Sequence, residues 1–302
     1  MDNKEGKQST AHHDLTVEEV QKYWSGKNVP QQWYSKREPF TLAWFNELRY
    51  KRFNVYYEYL KEGVEYAYHS GEQVLEVGCG IGTDLAEFAR NGAIVTGVDL
   101  GEDQVRLTKL NFQLQNLPFR EIRQANAEHL PFPDNSFDLV VSLGVLHHTP
   151  DTELAITEVH RVLKSDGKAI LVFYSRGWKH YIKRCFVTGI LRGRWFKYGF
   201  DWQKVYDEAS EVHGFAPKTG VYTKRQVRKM FHLFPTINLE KKRMGEFFEY
   251  KPYNTYKFPK FVNNFCRFFN FEGLLGENWL IKVAKYQSPK EDSLKNVIFK
   301  HY

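Results

Sequence analysis

The stretch VLEVGCGIGTD, residues 74–84, constrains this chain more than any other. An apolar strand-like run enters glycines at 78, 80 and 82 and continues into helix-forming residues from Thr83. Glycine lets the backbone turn sharply there and brings main chain against a ligand with no Cβ in between. The spacing is GxGxG, where a dinucleotide fingerprint needs GxGxxG, so a nucleoside without a diphosphate is the favoured ligand. The next apolar run, VTGVDL, ends at Asp99, where a carboxylate can accept hydrogen bonds from a ribose diol; a purely structural aspartate is the alternative.

Short apolar runs alternate with amphipathic stretches from Gln73 to Tyr174: VLEV, DLAEFARNG, IVTGVDL, EDQVRLTKLNFQLQN, FREIRQAN, FDLVVSLGVL, TELAITEVHRVLKSDG and KAILVFY. Nearly continuous hydrophobicity in the strands predicts a parallel sheet covered on both faces, and right-handed crossovers then give a doubly wound α/β fold. Gly92 and Gly167 stand where helix C-caps are expected. Upstream, Thr16 and Glu19 form a capping-box pattern for a helix over Leu15–Ser25, and an apolar stripe from Phe40 to Tyr68 predicts a second helical stretch. Downstream come a helix in TKRQVRKMFHLF, a strand in INLEKKRM and a last strand in NWLIKVAKY.

These pieces resemble class I S-adenosylmethionine-dependent methyltransferases, especially the small-molecule subgroup of quinone C-methyltransferases and sugar or natural-product O-methyltransferases. EVGCGIGTD, GVDL, NAEHLPFPDNSFDLVVS, LHHTPD, EVHRVLKSDG and KAILVF carry the resemblance, in family order, over about a third of the chain. It implies a mostly parallel seven-stranded, Rossmann-like sheet. Residues 1–70 would be a tail and helical cap, and 71–302 the catalytic domain, with lid insertions at about 175–222 and 245–276. It further implies S-adenosylmethionine as cofactor, with Glu76, Gly78, Cys79, Gly80 and Gly82 around its methionine half, Asp99 at the ribose and Leu100 at the adenine. Asn126, Ala127 and Glu128 would form the adenine loop, and Ser142 and Leu143 would close over the methionine. Asn126 departs from the family's usual aspartate, but its amide oxygen can still accept from an amino group.

His147 and His148, in SLGVLHHTPD, admit three readings: base or orienter of an acceptor hydroxyl, metal ligands, or structural histidines. Adjacent side chains on an extended segment point apart and no third ligand has a recognisable spacing, which argues against a metal. A base is needed only when the nucleophile must lose a proton of high pKa, as a hydroxyl must. Aromatic residues make up 16% of the chain and concentrate outside the sheet, so Tyr23, Trp24, Tyr174, Trp178 and Tyr250 are expected at an acceptor pocket, with Arg176 meeting an anionic group.

Charge divides the chain unevenly. Residues 1–70 hold 10 basic and 10 acidic residues, 71–175 hold 8 and 15, and 176–302 hold 25 and 11. The basic final third leaves methylation of RNA, a peptide or a membrane lipid or quinone as the alternative to a small acceptor, and a non-catalytic cofactor-binding protein as a further one. Three scattered cysteines fit neither a disulfide framework nor a metal site, and no apolar run approaches the ~20 residues that span a bilayer, so a cytoplasmic protein is expected.

Overall fold

A computed structural model of the chain describes residues 15–25, 35–177, 189–190, 193–210, 217–242 and 276–286. Its strands are β1 (Gln73–Val77), β2 (Ile94–Asp99), β3 (Glu121–Gln124), β4 (Phe137–Leu143), β5 (Leu163–Ser175), β6 (Val221–Tyr222), β7 (Thr236–Lys242) and β8 (Asn278–Ala284). Seven lie along one path, in the order β3-β2-β1-β4-β5-β8-β7, and the two-residue β6 pairs with the end of β5. β1 to β5 are parallel, whereas β8 runs antiparallel to both β5 and β7. The expected mostly parallel sheet is therefore present, with its switch point between β1 and β4, where the crevice at the strand ends opens.

The described helices are α1 (Val17–Trp24), α2 (Leu42–Lys51), α3 (Leu60–Gly63), α4 (Thr83–Arg90), α5 (Glu102–Leu114), α6 (Thr152–Val162), α7 (Arg194–Tyr198), α8 (Trp202–Ser210) and α9 (Lys224–Met230). One face of the sheet buries Leu75, Val140 and Leu171 with Ile156 and Val159 of α6 and Val227 of α9. The other buries Val74, Val141 and Val172 with Leu85 and Phe88 of α4 and Leu60 of α3. This two-sided cover explains the continuous hydrophobicity of the central strands. Trp44, Phe45 and Leu48 of α2 pack on Ile81 and Leu107, which ties the N-terminal helices to the glycine loop and to α5.

The cap of α1 forms as its sequence predicts: the Thr16 hydroxyl accepts from the Glu19 amide and the Glu19 carboxylate accepts from the Thr16 amide. Gly92 follows α4 with φ +87°, the left-handed C-terminal conformation that glycine adopts without strain. Two expectations need correction. Gly167 is not a helix cap, because α6 ends at Val162 and Gly167 lies within the span of β5. The Phe40–Tyr68 stretch is not one helix either: α2 passes into a π-turn at Arg52–Tyr56, and Tyr57 leaves helical geometry at φ −139°. At the start of this turn Arg52 is paired with Asp84 and mostly buried, its side chain 17% exposed. The second expected insertion, 245–276, lies outside the described residues except for Gly276.

Candidate active site

The strand ends open into a cavity of about 360 Å³. Of the sequence-predicted residues, Glu76, Gly78, Cys79, Gly80, Asp99, Leu100, Asn126, Ala127, Leu143, His148, Trp24 and Tyr174 line it. Gly78 has φ +80°, and a Cβ there would collide with the Val145 side chain, so the loop fits only as glycine. Gly82 serves the same turn from behind: it caps α4 at φ +75°, and an added Cβ would lie 2.7 Å from Thr108 Cγ2 of α5.

Asp99 is held at the lip of the loop. Its Oδ2 accepts from the Gly80 amide at 2.8 Å and its Oδ1 from the Gly101 amide at 3.0 Å, which leaves each oxygen a second lone pair. Burial pushes its carboxyl up, and the backbone amides pull the other way. Glu76 is 3% exposed, and its Oε2 has no hydrogen-bond partner among the described residues. Burial, reinforced by Asp84 and Asp99, holds its carboxyl well above the usual carboxylate range, and Arg52 opposes this.

Arg52 enters the cavity from the N-terminal extension and pairs with Asp84 at the start of α4, Nε to Oδ2 2.5 Å. Tyr66 donates its hydroxyl to the other Asp84 oxygen at 2.5 Å, and Tyr57 lies under the guanidinium at 5.2 Å. Burial works most strongly against the Arg52 charge, but Asp84, Tyr66, Tyr57 and Glu76 together offset it and carry the pKa upward. Gln104, in the first turn of α5, donates its amide to the Trp24 carbonyl, which pins α1 over the cavity. Gln21 of α1 donates to the Leu100 carbonyl at 3.2 Å. Sequence patterns gave no signal for Arg52, Gln104 or Asn278, which reach the cavity from the π-turn after α2, from α5 and from β8.

Several predicted residues stand outside the lining. The Glu128 carboxylate accepts from the Asp151 amide at 2.6 Å, at the N-terminus of α6, and Asn126 Oδ1 accepts from the Glu128 amide at 3.0 Å. Ser142 donates to the Val77 carbonyl at 2.8 Å, which bonds β4 to β1 beneath the cavity. Tyr23 stacks on Trp24 edge to face and lies outside the lining, as does Arg176. Trp178 and Tyr250 lie outside the described residues.

The two histidines sit in the 3-10 turn Leu146–His148 and are buried, His147 completely. His147 stacks between His148 and Tyr174, 4.2 Å from each ring, and its carbonyl accepts from the Gly220 amide at 2.8 Å. His148 lines the cavity and meets Trp24 at 4.9 Å. Its Nδ1 lies 2.8 Å from the Lys218 carbonyl. A carbonyl can only accept, so Nδ1 carries the proton, and in the neutral ring Nε2 is the basic nitrogen. Among the described residues no group of three or more His, Cys, Asp or Glu side chains could hold a metal ion.

A doubly wound sheet with a GxGxG turn at its first strand, a carboxylate at its second and a buried cavity over both defines a nucleoside-cofactor protein of the Rossmann-like class. Within that class, residues 75–171, about a third of the chain, match the family described as "Methyltransferase domain". The ubiquinone biosynthesis O-methyltransferase of Pseudomonas aeruginosa strain LESB58 is 35% identical over 114 residues, 37% of this chain and 49% of that protein. The enzyme of the same name from Pseudomonas syringae pv. tomato is 38% identical over 115 residues, again 37% and 49%. The chain thus spans about half the length of these curated relatives. Among solved structures, a Pyrococcus horikoshii OT3 protein superposes with a TM-score of 0.52 at 19% identity, covering 84% of this chain and 98% of that one. A SAM-dependent methyltransferase from Methanosarcina mazei gives 0.50 at 19%, covering 74% and 97%. Both show the shared fold.

Proposed function

We propose that the protein transfers a methyl group from S-adenosylmethionine to a hydroxyl oxygen of a small molecule held in this cavity. The observation that carries the reading is that one cavity joins the glycine loop and Asp99 to a histidine whose tautomer is set by a backbone carbonyl. The residues suit the cofactor chemically. The orphaned Glu76 Oε2 can receive an ammonium, Arg52 can meet a carboxylate, Asp99 has lone pairs for a ribose diol, and Gln104 Oε1, buried without a partner among the described residues, can accept from an adenine amino group. Leu100, Asn126 and Ala127 would flank the base. The cofactor, when bound, supplies a sulfonium-activated methyl.

The chain's own work is to align the acceptor, exclude water and remove a proton. His148 would take the hydroxyl proton at Nε2 while Nδ1 stays bonded to Lys218; His147 would hold that ring in place. Trp24 and Tyr174 form apolar walls for the acceptor. In this reading residues 1–70 cap the cavity, and residues 71–302 form the catalytic domain with the insertions as its lids. The names of the relatives, O-methyltransferases of ubiquinone biosynthesis, agree with oxygen methylation of a small acceptor.

Calorimetry is expected to show binding of S-adenosylmethionine and none of NADH; the reverse result would remove the reading. His148→Ala is expected to lower kcat by about 10²- to 10⁴-fold with S-adenosylhomocysteine affinity retained. A second reading rests on Phe196, 85% exposed beside Arg194 and Lys197, with Phe200 at 59% in the same turn. That surface favours an acceptor taken from RNA or an anionic lipid surface by the basic final third. Acceptor affinity that falls steeply with salt would support it over the first.

A further inference from the structure

Apart from Arg52 Nε, which is ion-paired with Asp84, three buried side-chain atoms of residues that line the cavity lack a hydrogen-bond partner among the described residues: Glu76 Oε2, Gln104 Oε1 and Asn278 Oδ1. Such orphans are rare because each forfeits its hydration, and several in one cavity mark places where a ligand completes the bonding. Glu76 lies in β1, next to its last residue, and Gln104 follows β2, so both belong to the half assigned above to the cofactor. Asn278 does not. It begins β8, which β4 and β5 separate from β1, on the side of the sheet away from β2.

Register shows what Asn278 faces. Leu143 pairs with Val172 across β4 and β5, and Tyr174 pairs with Asn278 across β5 and β8. Paired residues, and residues two apart on a strand, share a face, so Leu143, Val172, Tyr174 and Asn278 form one ledge along the cavity. Opposite the ledge, Tyr59 of the N-terminal extension accepts at its hydroxyl from Asn278 Nδ2, at 2.9 Å. That bond fixes the amide and leaves Oδ1 as the group to be satisfied. Asn278 is 1% exposed, so bulk water does not satisfy it.

We infer that Asn278 Oδ1 recognises the methyl acceptor, taking an O–H or N–H donor at the end of the acceptor remote from the methylated oxygen. The inference rests on the methyl-transfer reading. His148 lies 5.9 Å from the Tyr174 ring. Directly opposed side chains stand about 5 Å apart, so the two steps together place Asn278 within on the order of 10 Å of His148. One six-membered ring with a hydrogen bond at each end fits within that span. Val172, Leu143 and the Tyr174 ring supply the apolar wall such a ring would lie against. The substrate class is therefore a cyclic, planar hydroxyl compound that carries a second donor across the ring from the nucleophile.

Hydroquinone and p-cresol test this as a pair, because p-cresol replaces one hydroxyl by a methyl of similar size. Each is titrated calorimetrically, without oxygen, into the full chain loaded with S-adenosylhomocysteine. The wild type is expected to bind hydroquinone about tenfold more tightly. Asn278→Leu removes that preference, and Asn278→Asp, which keeps acceptor oxygens there, retains it. Thermal unfolding and the S-adenosylhomocysteine titration report whether each variant is folded. Equal binding of the two probes to the wild type, binding of neither, or a preference that survives in Asn278→Leu or disappears in folded Asn278→Asp overturns the assignment. If the wild type does not bind S-adenosylhomocysteine, the methyl-transfer reading itself falls.

Discussion

Glu76 shows how a single buried side chain links stability to ligand binding. Its folded-state pKa is raised, first by burial and then by Asp84 and Asp99. A raised carboxyl favours the protonated form in the folded chain. Its contribution is complete below the unfolded value, about 4.3, and is lost as pH rises through the higher folded value. Glu76→Gln should therefore stabilise the ligand-free protein, by about 1–3 kcal/mol at neutral pH and above, with little effect in acid. Melting temperatures of wild type and variant between pH 5 and 9 check this; curves that stay parallel would contradict it. In the proposed reading, S-adenosylhomocysteine affinity moves the opposite way, because the variant loses the charge that receives the ammonium.

Among the elements, α1 reaches furthest for its size. Its eight residues are bonded to Leu100 by Gln21 and to Gln104 by the Trp24 carbonyl, and Trp24 meets His148. Removing its cap with Thr16→Ala should cost the helix about 1 kcal/mol. Because α1 roofs the cavity, the loss should appear as severalfold weaker S-adenosylhomocysteine binding, read by calorimetry, with global unfolding nearly unchanged. The capping box was legible from Thr16 and Glu19 because capping is local. The strands and the glycine loop were legible for the same reason, since burial on both faces and a left-handed turn each leave a mark within a few residues. Arg52 was not. It stands at the start of the π-turn and pairs with Asp84, and a continuous apolar stripe gives no sign of either. Tyr59 and Asn278 are 219 positions apart and meet only because β8 inserts beside β5. Pairing at that separation is set by the assembled sheet. The same holds for Glu128 and Ser142: the motif located them near the strand ends, but hydrogen bonds to Asp151 and Val77 decide which way their side chains face.

At the scale of the whole molecule, a ligand that binds only the folded chain stabilises it by mass action, by about 2.7 kcal/mol at a hundredfold excess over Kd. Thermal unfolding with S-adenosylmethionine should show that gain as a higher Tm, and NADH at the same concentration should show none. A second consequence comes from how the cavity is divided among the strands. The glycine loop and Asp99 hang on β1 and β2, whereas His148 is tied to the Lys218 carbonyl and Asn278 to the Tyr59 hydroxyl. Both of those partners belong to segments outside β1 to β5. Replacing the segment around Lys218, or the one around Tyr59, would re-aim His148 or Asn278 while the loop on β1 and β2 keeps its own bonds. The two sides of the cavity are thus anchored separately, one by the parallel strands β1 and β2 and the other by segments outside the parallel strands.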